Sequence, residues 1–94
     1  MIHEILFTGY ENARPGRELC AALDLNLREL GHAIEAERRA GYPICACSAK
    51  DNHGYFLAAN KSEMQRYCNS LRKRAGEIFK TRSACLLSME DLPE

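Results

Sequence analysis

The sequence predicts a mainly α-helical fold with one small β-hairpin and a long C-terminal helix. Three observations predict it. Between residues 2 and 40, apolar side chains recur at intervals of three and four, the period of amphipathic helices. Two short apolar runs, Tyr42–Cys47 and Tyr55–Ala58, flank a polar, turn-rich stretch, which is the pattern of a hairpin. From Lys61 the helical spacing resumes and continues without proline to about Arg82.

Each element follows in order. Ile2, Ile5, Leu6 and Phe7 are spaced for a short first helix over residues 2–9, which Gly9 and the polar Glu11-Asn12-Ala13-Arg14 break. Pro15 suits the first turn of a second helix, where its missing N–H would be unbonded anyway. That helix runs to about Leu23 and buries Leu19, Ala22 and Leu23, with Arg14 at the cap position. After the tight link Leu23-Asp24-Leu25, Asn26 is a good N-cap with Glu29 three residues on, the spacing of a capping box. The third helix therefore runs from Leu27 to about Ala40, with Leu30, Ala33 and Ile34 inward. Gly41 sits where a C-terminal glycine belongs, and Arg38 and Arg39 lie in the last turn, where the helix dipole favours cations.

Tyr42–Cys47 reads as a strand, Ser48–Gly54 as a loop of about six residues, and Tyr55–Ala58 as the returning strand. Asn60 and Glu63 repeat the capping-box spacing. The helix that follows carries Met64, Cys68, Leu71, Ala75, Ile78 and Phe79 on one face, bordered by Tyr67. Leu86, Leu87 and Met89 in residues 83–94 give the tail an apolar surface to pack. The domain expectation is a head over residues 1–60, with residues 61–94 as a helix and tail of the same domain serving packing or dimerisation.

The composition bounds the function. Ninety-four residues make one domain, with 46% hydrophobic and 28% charged residues, an ordinary globular mix. Thirteen basic residues balance thirteen acidic ones, so indiscriminate binding to polyanions is not expected. No apolar run approaches the roughly 18 residues of a membrane span, and Met1-Ile2-His3-Glu4 does not resemble a signal peptide, so a cytoplasmic location is expected. Five cysteines, Cys20, Cys45, Cys47, Cys68 and Cys85, then read as reduced thiols. Cys20 and Cys68 occupy apolar helical positions, where Cys acts as a small hydrophobe. Cys45 and Cys47 share one face of a strand near His53, but the spacing matches no zinc module, so no metal and no cofactor is expected. There is no glycine-rich phosphate loop and no His–Glu metal motif, and the acidic, Ser and His residues lie on elements that do not converge, so the chain does not read as an enzyme.

The order of helix, helix, tight turn, helix, hairpin and long helix brings a family into view. Arg17-Glu18-Leu19-Cys20-Ala21-Ala22-Leu23, Leu25-Asn26-Leu27-Arg28-Glu29-Leu30 and Ile34-Glu35-Ala36-Glu37-Arg38-Arg39-Ala40-Gly41-Tyr42-Pro43-Ile44 are followed by Gly54-Tyr55-Phe56-Leu57-Ala58. Over residues 2–60 this series resembles the winged helix-turn-helix domains of small bacterial and prophage-type DNA-binding proteins. The resemblance rests on an arginine, x, x, glycine, tyrosine, x, isoleucine passage from recognition helix into wing, and on a glycine–tyrosine–aromatic–leucine returning strand.

The resemblance implies double-stranded DNA as partner, bound sequence- or structure-specifically by a transcriptional regulator or a prophage or replication accessory factor. It would place the third helix in the major groove, its N-terminal half near base edges. The positions concerned are Asn26, Leu27, Arg28, Gly31, His32 and Glu35, with Arg28 suited to bond guanine O6 and N7 together. Lys50, Asn52 and His53 would meet backbone phosphate or a minor groove from the wing tip, and Arg14 and Arg17 a flanking phosphate. Residues 1–60 hold 6 basic and 8 acidic residues, whereas residues 61–82 hold 7 basic and 2 acidic, so the strongest positive field lies on the last helix. A protein-docking module on the same fold is the alternative, since fold does not fix function. The last helix spans roughly 30 Å, longer than the head is wide, so a homodimer through that helix is expected to cover its apolar face.

Overall fold

A computed structural model describes all of residues 1–94. It contains α1 (Gly16–Leu23), α2 (Leu27–Arg39), β1 (Ile44–Ala49), β2 (Asn52–Leu57) and α3 (Lys61–Ser88). Single turns of 3-10 helix stand at Tyr10–Asn12 and Met89–Asp91. The fold is mainly helical with one two-stranded antiparallel sheet, as the sequence predicts.

α2 forms where its sequence dictates. The Asn26 side chain accepts the Glu29 N–H at 2.8 Å, and the Glu29 carboxylate accepts the Asn26 N–H at 3.0 Å, so both halves of the capping box are closed. At the other end the Tyr42 N–H reaches the Glu37 carbonyl and the Gly41 N–H reaches Arg38, the paired bonds of a Schellman ending, with Gly41 at φ +105°. α1 begins at Gly16, with Pro15 before it in place of a side-chain cap. It ends on Asp24, whose left-handed conformation (φ 54°) makes the tight link to α2. Ile2, Leu6, Leu19, Leu30, Ile34 and Ile44 form the main core, which joins α1, α2, the root of β1 and the N-terminal segment. Ala22, expected inward, is exposed.

Residues 2–9 do not form the expected helix. One turn closes at Ile5 N–H to Ile2 carbonyl, and the chain then runs extended along the free edge of β2. The Leu57 N–H donates to the Phe7 carbonyl, and the Gly9 N–H to the Leu57 carbonyl, both at 2.9 Å. Arg14 and Tyr55 exchange both backbone bonds at 2.8 Å. The reason lies far away in sequence. Pairing satisfies a strand edge that would otherwise be unbonded, and the same four-residue spacing of Ile2 and Leu6 still lets both reach the core. Glu37 of α2 fastens the start of this strap, its carboxylate accepting the N–H groups of Ile2 and His3, each at 2.8 Å, and facing the His3 ring.

The hairpin also differs from expectation. Its loop is the two residues Lys50-Asp51, because β1 and β2 continue outward through the pairs Ser48↔His53 and Ala49↔Asn52. The Asn52 side chain donates to the Tyr10 carbonyl at 2.8 Å and so ties the tip back to the strap. Gly54 (φ +134°) is where strap and hairpin come closest, since a Cβ there would overlap the Arg14 carbonyl oxygen and lie 2.7 Å from the Pro15 nitrogen.

α3 is longer than expected and mostly uncovered. Cys45, Phe56 and Tyr67 form a second small core, with Tyr10, Ala13 and Met64 packed against it. Beyond Tyr67 every residue is exposed, including Cys68 and Leu71, and residues 83–94 do not pack on the head. The helix therefore projects, giving overall dimensions of 51 × 31 × 29 Å.

Candidate nucleic-acid interface

The outward face of α2 is presented by two anchors beneath it. Leu30 and Ile34 are buried, which turns Leu27, Arg28, Gly31, His32 and Glu35 toward solvent. Leu27 is 71% exposed, a large apolar side chain with no intramolecular reason to be outside. Arg28 and His32 take part in no hydrogen bond or ion pair within the chain. Glu35 is engaged, its carboxylate lying 3.9 Å from Arg38 and 3.5 Å from Arg39.

Gly16 marks where the elements meet. A Cβ there would lie 3.4 Å from Leu30, 3.5 Å from Tyr55 and 3.8 Å from Leu27. The start of α1, the start of α2 and the middle of β2 thus share one junction, and Gly54 packs on the Arg14–Pro15 backbone beside it. Arg17, exposed and free of any ion pair, stands one residue from this junction. On the hairpin, Lys50 at the turn and His53 on β2 are exposed, and neither is paired.

Three further residues of the expected set have internal partners. Two nitrogens of the Arg14 guanidinium face internal acceptors, one donating to the Ile5 carbonyl at 2.9 Å and the other 3.6 Å from Glu18. The same group lies 5.4 Å above the Phe7 ring. The Asn26 side chain caps α2, and the Asn52 amide is bonded to Tyr10. These side chains shape the surface from within, while Arg17, Leu27, Arg28, Gly31, His32, Lys50 and His53 form its exposed part.

A groove of about 530 Å³ between the hairpin and α3 joins His53 to residues that helix and strand patterns do not single out. Tyr10, Cys47, His53, Tyr55, Arg66 and Arg74 line it. The Arg66 guanidinium lies 5.9 Å from the Tyr10 ring centre. Glu63 also lines the groove. Backbone N–H groups of Ala59 and Tyr10 bond its carboxylate and hold it below the usual carboxylate range.

The thiols near this surface are not activated. Burial, with the Glu63 charge adding to it, pushes Cys45 up to about 11, and burial also raises Cys47. No three His, Cys, Asp or Glu side chains are gathered as a metal site would require. No helix is long and apolar enough to cross a membrane. No family model, curated protein or solved structure matches this chain.

Proposed function

We propose that the chain is a winged helix-turn-helix protein that binds double-stranded DNA, sequence- or structure-specifically. Its role on this reading is that of a transcriptional regulator or of a prophage or replication accessory factor, without catalysis. The observation that carries the reading is the outward face of α2. It holds two free hydrogen-bonding side chains, Arg28 and His32, beside a glycine that lets a duplex approach closely, and unpaired cations flank it at Arg17 and Lys50. In this reading α1 and α2 are the helix-turn-helix, β1 and β2 the wing, and the strap along β2 stands where a further helix was expected.

The division of labour follows from chemistry. Arg28, in the first turn of α2, offers a guanidinium fork to the O6 and N7 acceptors of guanine. His32, one turn later on the same face, reaches the next base or its phosphate. Lys50 and His53 meet the sugar–phosphate backbone beside the groove, and Arg17 a flanking phosphate. Arg14 and Asn52 act indirectly, fixing strap and hairpin so that the tip keeps its distance from α2.

Fluorescence anisotropy on mixed-sequence duplexes tests this. Neutralising about three phosphates makes affinity fall roughly 40-fold between 50 and 200 mM salt. Arg28→Ala is expected to cost about 1–3 kcal/mol of binding. Loss only on replacing Arg72, Lys73 and Arg74 together by Ala would move the DNA surface to α3. Absence of binding at low salt would leave the second reading, a protein-docking module. That reading is favoured by exposed Leu27 and by the pairing of Glu35 with Arg38 and Arg39, which lowers the free positive charge of α2.

A further inference from the structure

α3 carries an apolar stripe that nothing in the chain covers. Leu71, Ala75, Ile78, Cys85, Leu86 and Met89 share one side of the helix at helical spacing, interrupted only by Arg82 between Ile78 and Cys85, with Phe79 at the border, all exposed. Ile78 and Phe79 are 62% and 65% exposed. The helix holds 28 residues, about 42 Å, and only its first two turns rest on the head. Beyond the Asn60 cap at its start, support from pairs of its own side chains is slight: one Gln65–Asn69 bond and one Lys80–Glu77 ion pair, each worth a few tenths of a kcal/mol. A helix of this composition standing alone in water is marginal, so its extension through Ser88 calls for a surface against the stripe.

Charge along the helix and the turn and tail that follow it identifies that surface. Residues 61–74 carry Lys61, Arg66, Arg72, Lys73 and Arg74 against Glu63, a net of +4. Residues 83–94 carry Glu90, Asp91 and Glu94 with no basic residue, a net of −3. Two copies of α3 laid parallel would set like charge on like charge at both ends. Laid antiparallel, each basic half meets the other copy's acidic end.

We infer that two copies of this chain pair through antiparallel α3 helices along the stripe from Leu71 to Met89. The two-fold axis falls at the middle of the exposed stripe, beside Phe79, so the two Phe79 rings meet across it. Leu71 then opposes Met89 of the second copy, Ala75 opposes Cys85, and Arg82 lies over Ile78 with its guanidinium reaching the rim. Glu90 of each copy comes near Arg72 of the other. The more polar face with Lys73 and Lys80 stays in water, and the two heads stand at opposite ends. The pairing is independent of what α2 binds.

Sedimentation equilibrium of the full chain tests the pairing, with expected mass twice the 10.6 kDa of one chain at micromolar concentration. The double variant Ile78→Glu, Phe79→Glu is expected to weaken the dimer by ~100-fold or more. Leu87→Glu, on the opposite side of the helix, is expected to leave it intact. Circular dichroism and a cooperative melt of the head establish that each variant is folded. Orientation is read by mild oxidation followed by peptide mapping. In Ala75→Cys the antiparallel pair yields an inter-chain disulfide between the introduced thiol and Cys85. A single-chain mass up to hundreds of micromolar, a dimer indifferent to the double variant, or a Cys85–Cys85 link in the unaltered chain would each overturn the inference.

Discussion

Gly54→Ala is the sharpest probe of how the head is held together. Gly54 sits at φ +134°, a region in which a side chain costs about 1–3 kcal/mol of backbone strain. The new methyl would also overlap the Arg14 carbonyl and lie 2.7 Å from the Pro15 nitrogen, so strap and hairpin must separate. Separation breaks the two 2.8 Å bonds between Arg14 and Tyr55, each worth about 1 kcal/mol net. The expected loss is therefore about 3–5 kcal/mol. For a chain of 94 residues this lowers Tm by about 15–25 °C. Thermal and urea unfolding followed at 222 nm measure it. Gly76→Ala is the control, because nothing lies within 4 Å of a Cβ there and the residue is on an exposed helix. It is expected to gain about 0.5–1 kcal/mol. A Gly54→Ala protein as stable as the parent within about 1 kcal/mol would refute the close approach of strap and hairpin.

Two further expectations concern the same architecture. Burial pushes the Glu37 carboxyl upward, but the N–H groups of His3 and Ile2 and the His3 ring outweigh it and hold the group below the ordinary 4.5. A carboxylate depressed on folding contributes stability that is present above about pH 4.5 and lost as pH falls through the folded value. Urea midpoints should therefore drop on acidification below that pH, and Glu37→Gln should reduce the slope there; an unchanged slope would show that the strap is not fastened by this charge. Tyr67 is the buried hinge between head and α3, with the Arg38 guanidinium 4.8 Å over its ring and no hydrogen bond from its hydroxyl. Tyr67→Phe is expected to be neutral within about 0.5 kcal/mol, and Tyr67→Ala to cost about 3–5 kcal/mol in chemical denaturation.

What could be read from the sequence tracks how local its cause is. α2 was legible to the residue at its start because both ends are specified within the helix, by Asn26 with Glu29 and by Gly41. Tyr67, the one buried residue of α3, stands only at the border of the apolar face that periodicity gives, since its burial depends on Cys45 and Phe56. The strap is not legible locally, because the spacing of Ile2, Ile5 and Leu6 serves a helix and an extended segment with one turn equally. Leu57 and Tyr55 decide between them, some forty to fifty residues downstream. The short hairpin loop has the same origin: Asn52 and His53 look like loop residues, and the anchor that keeps Asn52 in a strand is the Tyr10 carbonyl. In the candidate interface the outward set on α2 followed from periodicity alone. That Arg14 turns inward, to the Ile5 carbonyl, depends on the strap and was invisible to periodicity.

The strap has a consequence for how this chain is made. Its backbone partners, Tyr55 and Leu57, are synthesised some forty to fifty residues after Phe7, Gly9 and Arg14. α1, α2 and the hairpin are built from neighbours in sequence and close while short loops still connect them. The pairing of the strap with β2 has no such neighbour: residues 7–14 leave the ribosome well before the strand they pair with, so this pairing closes last in the head. Ile2 and Leu6 can settle on Leu19, Leu30 and Ile34 once α2 is made, but until Leu57 emerges the backbone of Phe7 and Gly9 lacks its partner, and the outer edge of the nascent hairpin is an open template. During synthesis, then, the head is most vulnerable to association with other chains in the interval between completion of the hairpin and arrival of the strap on β2.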